Sequence, residues 1–276
     1  MRMKMKKFAS LNIAGLFIAT VVLGSVTTNA ALAGQTASEG SVGFTPAASS
    51  PSKPYDPTDP NFPPAPIKEN PDGKGKGTTG VLRFERVPNF NFGNIEVKAE
   101  GDDYPVYDEE YQLVDPTTGA DSGKPFYSAP TIEVTDGRGH APGWHVKAEN
   151  NQIFSSTNTT VASFKAFIVL NNAVAASYTE GVLASEAPDI FASPIVLNDL
   201  PSVPIVNATE NNGNAKWGIS FYDPTDSAAA TAGKPTRRTT QSTSNAVVLR
   251  IPNAAKVKAN EQYTTTITWY LYDTFA

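Results

Sequence analysis

The chain has 276 residues, a formal net charge of −5 at neutral pH, no cysteine and two histidines. The negative charge argues against binding bare nucleic acid or anionic lipid through bulk electrostatics. Without thiols the chain cannot form disulfide bonds or a cysteine nucleophile, and two histidines alone do not make a zinc site of the usual stoichiometry. We therefore predict no metal, no cofactor and no nucleic-acid partner.

The first 33 residues have the pattern of a secretory signal peptide. Basic residues lie within the first seven positions, an apolar run covers residues 13–24, and Ala31-Leu32-Ala33 offers a small-residue cleavage site. The alternative, a membrane anchor, requires about 20 apolar residues, more than this run supplies. We predict secretion, a mature chain that begins at Gly34, and no membrane insertion after cleavage. Secretion without disulfides is more typical of a thick-walled bacterium than of a eukaryotic ectodomain.

Residues 34–79 form a Pro/Gly-rich N-terminal segment that differs from the rest of the chain. Its prolines are mixed with serine, aspartate and lysine, and it ends in alternating glycine and lysine. This composition is typical of a polyproline-like loop or a spacer. One short strand is predicted at Val42–Phe44. The sequence leaves open whether the segment packs on the domain that follows, which we place at residues 80–276.

From Val81 onward, short apolar runs alternate with turn residues. This pattern predicts an all-β fold, either an antiparallel sandwich or a barrel-like single domain with long loops. Helical periodicity is weak, and Ala173–Ala184 is the strongest helical candidate. The predicted strands lie around Leu82–Phe84, Ile95–Val97, Ile132–Val134, Trp144–Ala148, Phe164–Leu170, Trp217–Phe221, Val247–Ile251 and Thr264–Tyr272.

The last of these strands combines threonine with branched and aromatic residues. Because side chains alternate along a strand, Ile267, Trp269 and Leu271 share one face, and Tyr270 and Tyr272 share the other. By the same alternation, His145 is predicted on the solvent side, opposite Trp144. The terminal strand is therefore either a core strand or an exposed apolar ridge.

An acidic stretch between residues 100 and 110 is the main candidate for catalysis or calcium binding. It lacks the ordered spacing of a calcium loop, and charge runs are usually solvated. A serine–histidine–aspartate site is compatible with the composition, but the chain has no Gly-x-Ser-x-Gly motif. We predict no enzyme and no catalytic residue, and we keep a hydrolase or a calcium-dependent lectin that uses this acidic stretch as an alternative.

Two motifs resemble those of the WxL-domain family of Gram-positive cell-surface proteins. Residues 135–146, TDGRGHAPGWHV, are similar to its proximal motif, in which an Asp-x-Arg-Gly loop runs into Gly-Trp-x-Leu. Thr268-Trp269-Tyr270-Leu271 is similar to its distal motif. The likeness extends over residues 87–93 and 248–252 and over the start of the mature chain. Val146 stands where the family usually has leucine. Valine keeps an apolar branched group on the same strand face as Trp144.

This resemblance implies a secreted, non-covalent binder of peptidoglycan at the cell surface. It also implies a context of other surface proteins, including a membrane-anchored WxL-interacting protein. The alternative function is a structural or adhesive subunit that docks on such a partner by strand addition, so that wall retention is indirect.

Two groups of residues are candidates for binding. Indole rings suit glycans because sugar C–H groups pack on them, although tryptophans beside aliphatic residues are more often core. Glycines and an arginine also make the loop 136–143 a recognition candidate, unless its Asp and Arg only pair across the turn. The candidates are the motif residues Trp144, Val146, Trp269, Tyr270 and Leu271 and the loop residues Asp136, Arg138, Gly139 and Gly143.

Overall fold

A computed structural model describes residues 41–42, 49–68, 74–96, 98, 100–199, 201–223, 233–253 and 255–274. The predicted signal peptide lies outside these residues, as do Gly43 and Phe44 of the predicted first strand. Val42 is described, and it is exposed and outside any strand. All the elements below belong to one compact unit, Phe44–Ala276.

Regular structure in the described residues is almost entirely β, which confirms the predicted all-β fold. Alternating apolar and polar residues form the strands, as a period of two requires. One 3-10 turn, Ala184–Glu186, is the only helical segment in these ranges. The strands are β1 (Leu82–Arg86), β2 (Asp102–Tyr107), β3 (Glu109–Val114), β4 (Asp121–Ser128), β5 (Thr131–Asp136), β6 (Trp144–Asn150), β7 (Ile153–Ser156), β8 (Phe164–Lys165), β9 (Phe167–Leu170), β10 (Val174–Ser177), β11 (Asp189–Ile190), β12 (Ile195–Val196), β13 (Val203–Ala208), β14 (Ala215–Ser220), β15 (Thr243–Ile251), β16 (Tyr263–Thr264) and β17 (Ile267–Tyr272).

Two local predictions are wrong. The helical candidate Ala173–Ala184 instead contains β10, whose backbone pairs with β14. Gly181, which follows β10, has φ 80°, a value that a continuous α-helix does not allow. Ile95 lies outside any strand and packs on the core from a loop, while Val97 is not described. In both places, contacts with distant segments outweigh the local pattern.

Three four-stranded antiparallel sheets surround the main core. Sheet A has the order β1-β5-β14-β10, sheet B the order β11-β13-β6-β17, and sheet C the order β12-β9-β15-β2. The sheets are open and not closed into a barrel, so the sandwich-like alternative is the correct one. Each large side chain buried between them contributes roughly 1.5–3 kcal/mol. The largest are Trp144, Trp217, Phe221, Ile132, Ile168, Leu197, Ile205 and Ile219.

Residues 49–68, which we call the proline strap, pack on the domain. Pro54 and Asp56 are buried, and isolated bridges join Tyr55 to Pro66 and Ile67 to Leu113. The strap covers the face of sheet A that points away from the core. The sequence left this packing open, and the division of the chain at residue 80 stays a prediction.

Candidate functional site

The two tryptophan motifs lie side by side in sheet B. β6 carries the first motif and β17 the second, and the strands pair antiparallel with Trp269 opposite Ala148 and Leu271 opposite Val146. Because directly opposed residues share a face, the apolar side chains of both motifs point to the same side of the sheet. Sheet pairing thus joins two segments that are far apart in the sequence.

Trp144 is a core residue. Its side chain is fully buried, as is Val146, and its indole N–H donates a hydrogen bond of 2.9 Å to the Gly213 carbonyl oxygen. Gly213 has φ 69°, and a Cβ there would lie 2.7 Å from the indole nitrogen. Only glycine allows the turn to approach the ring so closely. The indole is therefore enclosed by protein and does not form a binding platform.

Trp269 and Leu271 are only partly buried, at the edge of the same core. The Trp269 ring lies edge-on to Phe90, with the ring centres 6.4 Å apart, and Phe90 contacts Phe221 in turn at 5.7 Å. Such aromatic pairs add about 0.5–1.5 kcal/mol beyond area burial. These contacts fix the second motif against the domain.

The loop 136–143 is braced by Arg138. Its guanidinium binds both carboxylate oxygens of buried Asp136, at 2.9 and 2.8 Å. It also donates to the carbonyl oxygens of Gly143, at 2.7 Å, and Asp273, at 2.8 Å. Four of the five guanidinium N–H donors available to an arginine are used in this way. Asp136 and Arg138 therefore pair across the turn and brace the loop. Gly139 is exposed, with φ 81°.

The other face of β6 and β17 carries polar and aromatic side chains. The Tyr270 hydroxyl donates to Glu149 at 2.6 Å, which raises the pKa of Tyr270. The Lys147 ammonium lies 5.4 Å from the centre of the Tyr272 ring, and Tyr272 is 40% exposed. We call the surface formed by Lys147, Glu149, Thr268, Tyr270 and Tyr272 the tyrosine face.

His145 lies beneath this face. The predicted side of the strand is correct, but His145 is buried because Tyr272 stacks on it, with ring centres 4.5 Å apart and an interplanar angle of 12°. Its Nδ1 lies at hydrogen-bond distance from the Thr274 carbonyl oxygen. Lys147 and Glu149 were not among the predicted site residues, and Tyr272 was predicted only to share a face with Tyr270. Alternation sets the face of each side chain within its own strand, but only the pairing of β6 with β17 brings these residues together.

β17 is an edge strand. In the described residues it pairs with β6 and has no strand on its other side. An edge of this kind presents backbone N–H and C=O groups that another extended chain can pair with.

The acidic stretch between residues 100 and 110 does not form a cluster. Its members lie in or beside β2 and β3, and most pair with different cationic side chains. In the described ranges, no group of three or more histidine or acidic side chains is arranged to hold a metal ion. The pairs are Asp102 with Lys98, Asp103 with Arg250, Asp108 with Arg238, and Glu109 with Arg86.

A family model described as WxL domain, surface cell wall-binding, matches residues 31–274 and so includes both motifs. No curated protein and no solved structure matches the chain significantly. In the part of the chain that the structure describes, no helix has the length and apolar character needed to span a bilayer.

Proposed function

Because the chain belongs to the WxL family of surface, cell-wall-binding domains, we propose that it is secreted by a Gram-positive bacterium and binds peptidoglycan non-covalently. The role is binding, with no catalytic residue. The observation that carries this proposal is the pairing of β6 with β17, which creates the tyrosine face on the solvent side of the two motifs.

In this proposal the motif residues divide into two roles. Trp144, Val146, Trp269 and Leu271 anchor the strand pair to the core, and Tyr270 and Tyr272 contact the glycan. Sugar C–H groups pack on aromatic rings, and a phenol hydroxyl can bond to sugar hydroxyls. Lys147 adds a cation that suits the carboxylates of wall peptides. The loop residues Asp136, Arg138, Gly139 and Gly143 position the start of β6.

The test is sedimentation of the mature chain, residues 34–276, with purified, protein-free peptidoglycan. Tyr270→Ala and Tyr272→Ala are each expected to weaken binding at least about tenfold, or ~1.4 kcal/mol. Tyr127→Ala is the matched control, because Tyr127 is also a half-exposed strand tyrosine that donates to a glutamate on the neighbouring strand, Glu110, at 3.0 Å. Circular dichroism checks the folding of each variant.

Three outcomes would contradict parts of the proposal. If both tyrosine variants sediment like the wild type, the tyrosine face is not the contact surface. If the wild type does not sediment, direct peptidoglycan binding is wrong. A fall in the turbidity of the wall suspension, or loss of binding in a chelator, would instead support the hydrolase or calcium-lectin alternative.

A second candidate function is docking on a membrane-anchored WxL-interacting protein or another surface protein. The unpaired edge of β17 favours it, since a partner strand would complete sheet B there. In that case, untreated walls retain the protein and protease-treated walls do not. Trp269→Ala would also abolish the protein complex without changing sedimentation with protein-free wall.

A further inference from the structure

The face of sheet A that points away from the core carries a buried pair of reactive groups. β5 and β14 are adjacent strands, with Glu133 opposite Gly218 and Thr135 opposite Lys216. Glu133 and Lys216 are therefore diagonal neighbours on one face, the face that the proline strap covers. The Lys216 Nζ lies 3.8 Å from Glu133 Oε2 and 3.7 Å from Glu85 Oε1. The tyrosine face proposed to bind the wall does not include these groups.

The pair is enclosed by aromatic rings and backbone. Lys216 Nζ lies 3.5 Å from the centre of the Tyr55 ring and donates to the Lys53 carbonyl oxygen, both in the strap. The Tyr178 hydroxyl sits over Gly218, where an added Cβ would lie 2.1 Å from it. Glu133 is fully buried and Lys216 is 8% exposed. Bulk water is therefore excluded from the space between the two groups.

Burial moves both groups toward their neutral forms. Loss of hydration raises the pKa of Glu133 to about 7, even though the Lys216 and Arg86 charges oppose the change. The same loss lowers the pKa of Lys216, against the attraction of Glu133 and Glu85. A neutral amine is a nucleophile. It can attack the carbon of a neutral carboxylic acid, whereas the negative charge of a carboxylate disfavours this attack.

The two oxygens of Glu133 have different surroundings. Oε2 accepts a hydrogen bond of 2.9 Å from the Tyr55 backbone N–H. Oε1 is buried and has no hydrogen-bond partner among the described residues. A buried oxygen without a hydrogen-bond partner costs about 1–3 kcal/mol. Loss of Oε1 as water would remove that cost.

Glu85 is placed to move a proton. It forms an ion pair of 2.7 Å with Arg83 and accepts hydrogen bonds from the Thr135 hydroxyl, at 2.5 Å, and the Lys53 backbone N–H. These contacts hold its carboxylate beside the Lys216 nitrogen in a fixed orientation.

We propose that Lys216 and Glu133 join in an intramolecular amide bond between β14 and β5. The Lys216 Nζ attacks Glu133 Cδ, and a C–N bond forms. Glu85 accepts one proton from the nitrogen and passes it to the Oε1 hydroxyl. The Cδ–Oε1 bond breaks, one water leaves, and Oε2 stays as the amide oxygen on the Tyr55 N–H. Glu85 regains its starting charge, and no oxidant or other reactant is consumed.

Two general effects support this reaction. Well-oriented groups held in one molecule react as though present at effective concentrations of about 10⁵–10⁸ M. The Tyr55 N–H also points at the oxygen on which negative charge develops during the attack. The bond would tie together the two central strands of sheet A, and β5 leads directly into the loop of the first tryptophan motif.

The test is the intact mass of the purified mature protein, followed by peptide mapping. The wild type is expected to be lighter than its sequence by one water, with a branched peptide that links Lys216 to Glu133. Lys216→Met is expected to have the full sequence mass, and Glu85→Gln to form the bond more slowly. Lys234→Met is the matched control, since Lys234 is another buried lysine next to Tyr178 and is expected to keep the water loss.

The peptide map decides the result because dehydration elsewhere in the chain would give the same mass. A folded wild-type protein with separate, unlinked peptides containing Lys216 and Glu133 would overturn the proposal. The map needs only the wild type, so it stands even where Lys216→Met fails to fold. Wall binding is measured separately, and its failure would leave the amide bond unaffected.

Discussion

Replacement of Trp144 tests whether the first motif is structural. In Trp144→Ala a fully buried indole is lost, which costs about 3–5 kcal/mol for a side chain of this size. The Gly213 carbonyl oxygen also loses its donor, at about 1–3 kcal/mol. Together these losses are a large part of the roughly 5–15 kcal/mol that stabilises a typical domain. Trp144→Phe keeps most of the packing and isolates the hydrogen-bond cost.

Urea unfolding followed by circular dichroism measures these changes, beside sedimentation with peptidoglycan. We expect Trp144→Ala to be severely destabilised and Trp144→Phe to lose about 1–3 kcal/mol while its folded fraction still binds. Trp269→Ala serves as a partly buried comparison and should cost less than Trp144→Ala. The reasoning is wrong if a Trp144 variant keeps wild-type stability and loses wall binding, because the indole would then be a contact residue.

Two further predictions concern the loop and the buried pair. Arg138→Gln removes the bidentate bond to Asp136 and should lower the free energy of unfolding by about 1–3 kcal/mol, whereas exposed His140→Ala in the same loop should change it little. Equal effects in urea unfolding would contradict the brace. In Lys216→Met, which cannot form the amide, Glu133 keeps a raised pKa, so the folded state holds a proton that the unfolded state loses above about pH 4.5. Stability should then fall as pH rises from about 4.5 to 7 and beyond, and adding Glu133→Gln should remove this slope; a slope of the opposite sign would refute it.

Strand alternation predicted the inner face of the site well. Trp144, Val146, Trp269 and Leu271 point to one side because a period of two fixes their direction along each strand. Alternation does not tell how deep a side chain lies. His145 points to the predicted side of the strand but is buried, because Tyr272 stacks on it. Tyr272 reaches this position through the pairing of β17 with β6.

The proline strap shows a second limit of sequence reasoning. A proline-rich segment cannot contribute a regular ladder of N–H donors, so its composition is typical of a spacer. Here two of its N–H donors reach buried carboxylates of sheet A, because the N–H groups of Lys53 and Tyr55 bond to Glu85 and Glu133. In β5, Glu133 alternates with the core residues Ile132 and Val134 and so faces away from the core, and its burial comes from contact with the distant strap.

The two tryptophan motifs act as one structural unit. The loop before β6 supplies Arg138, whose guanidinium holds the Asp273 carbonyl oxygen just after β17. His145, the second residue of β6, reaches the next carbonyl oxygen, that of Thr274. The first motif thus fixes both the side-by-side pairing of β17 and the point where that strand ends. A change that breaks or shifts this strand pair should therefore disturb Tyr270 and Tyr272 together, because the direction of both side chains depends on its register.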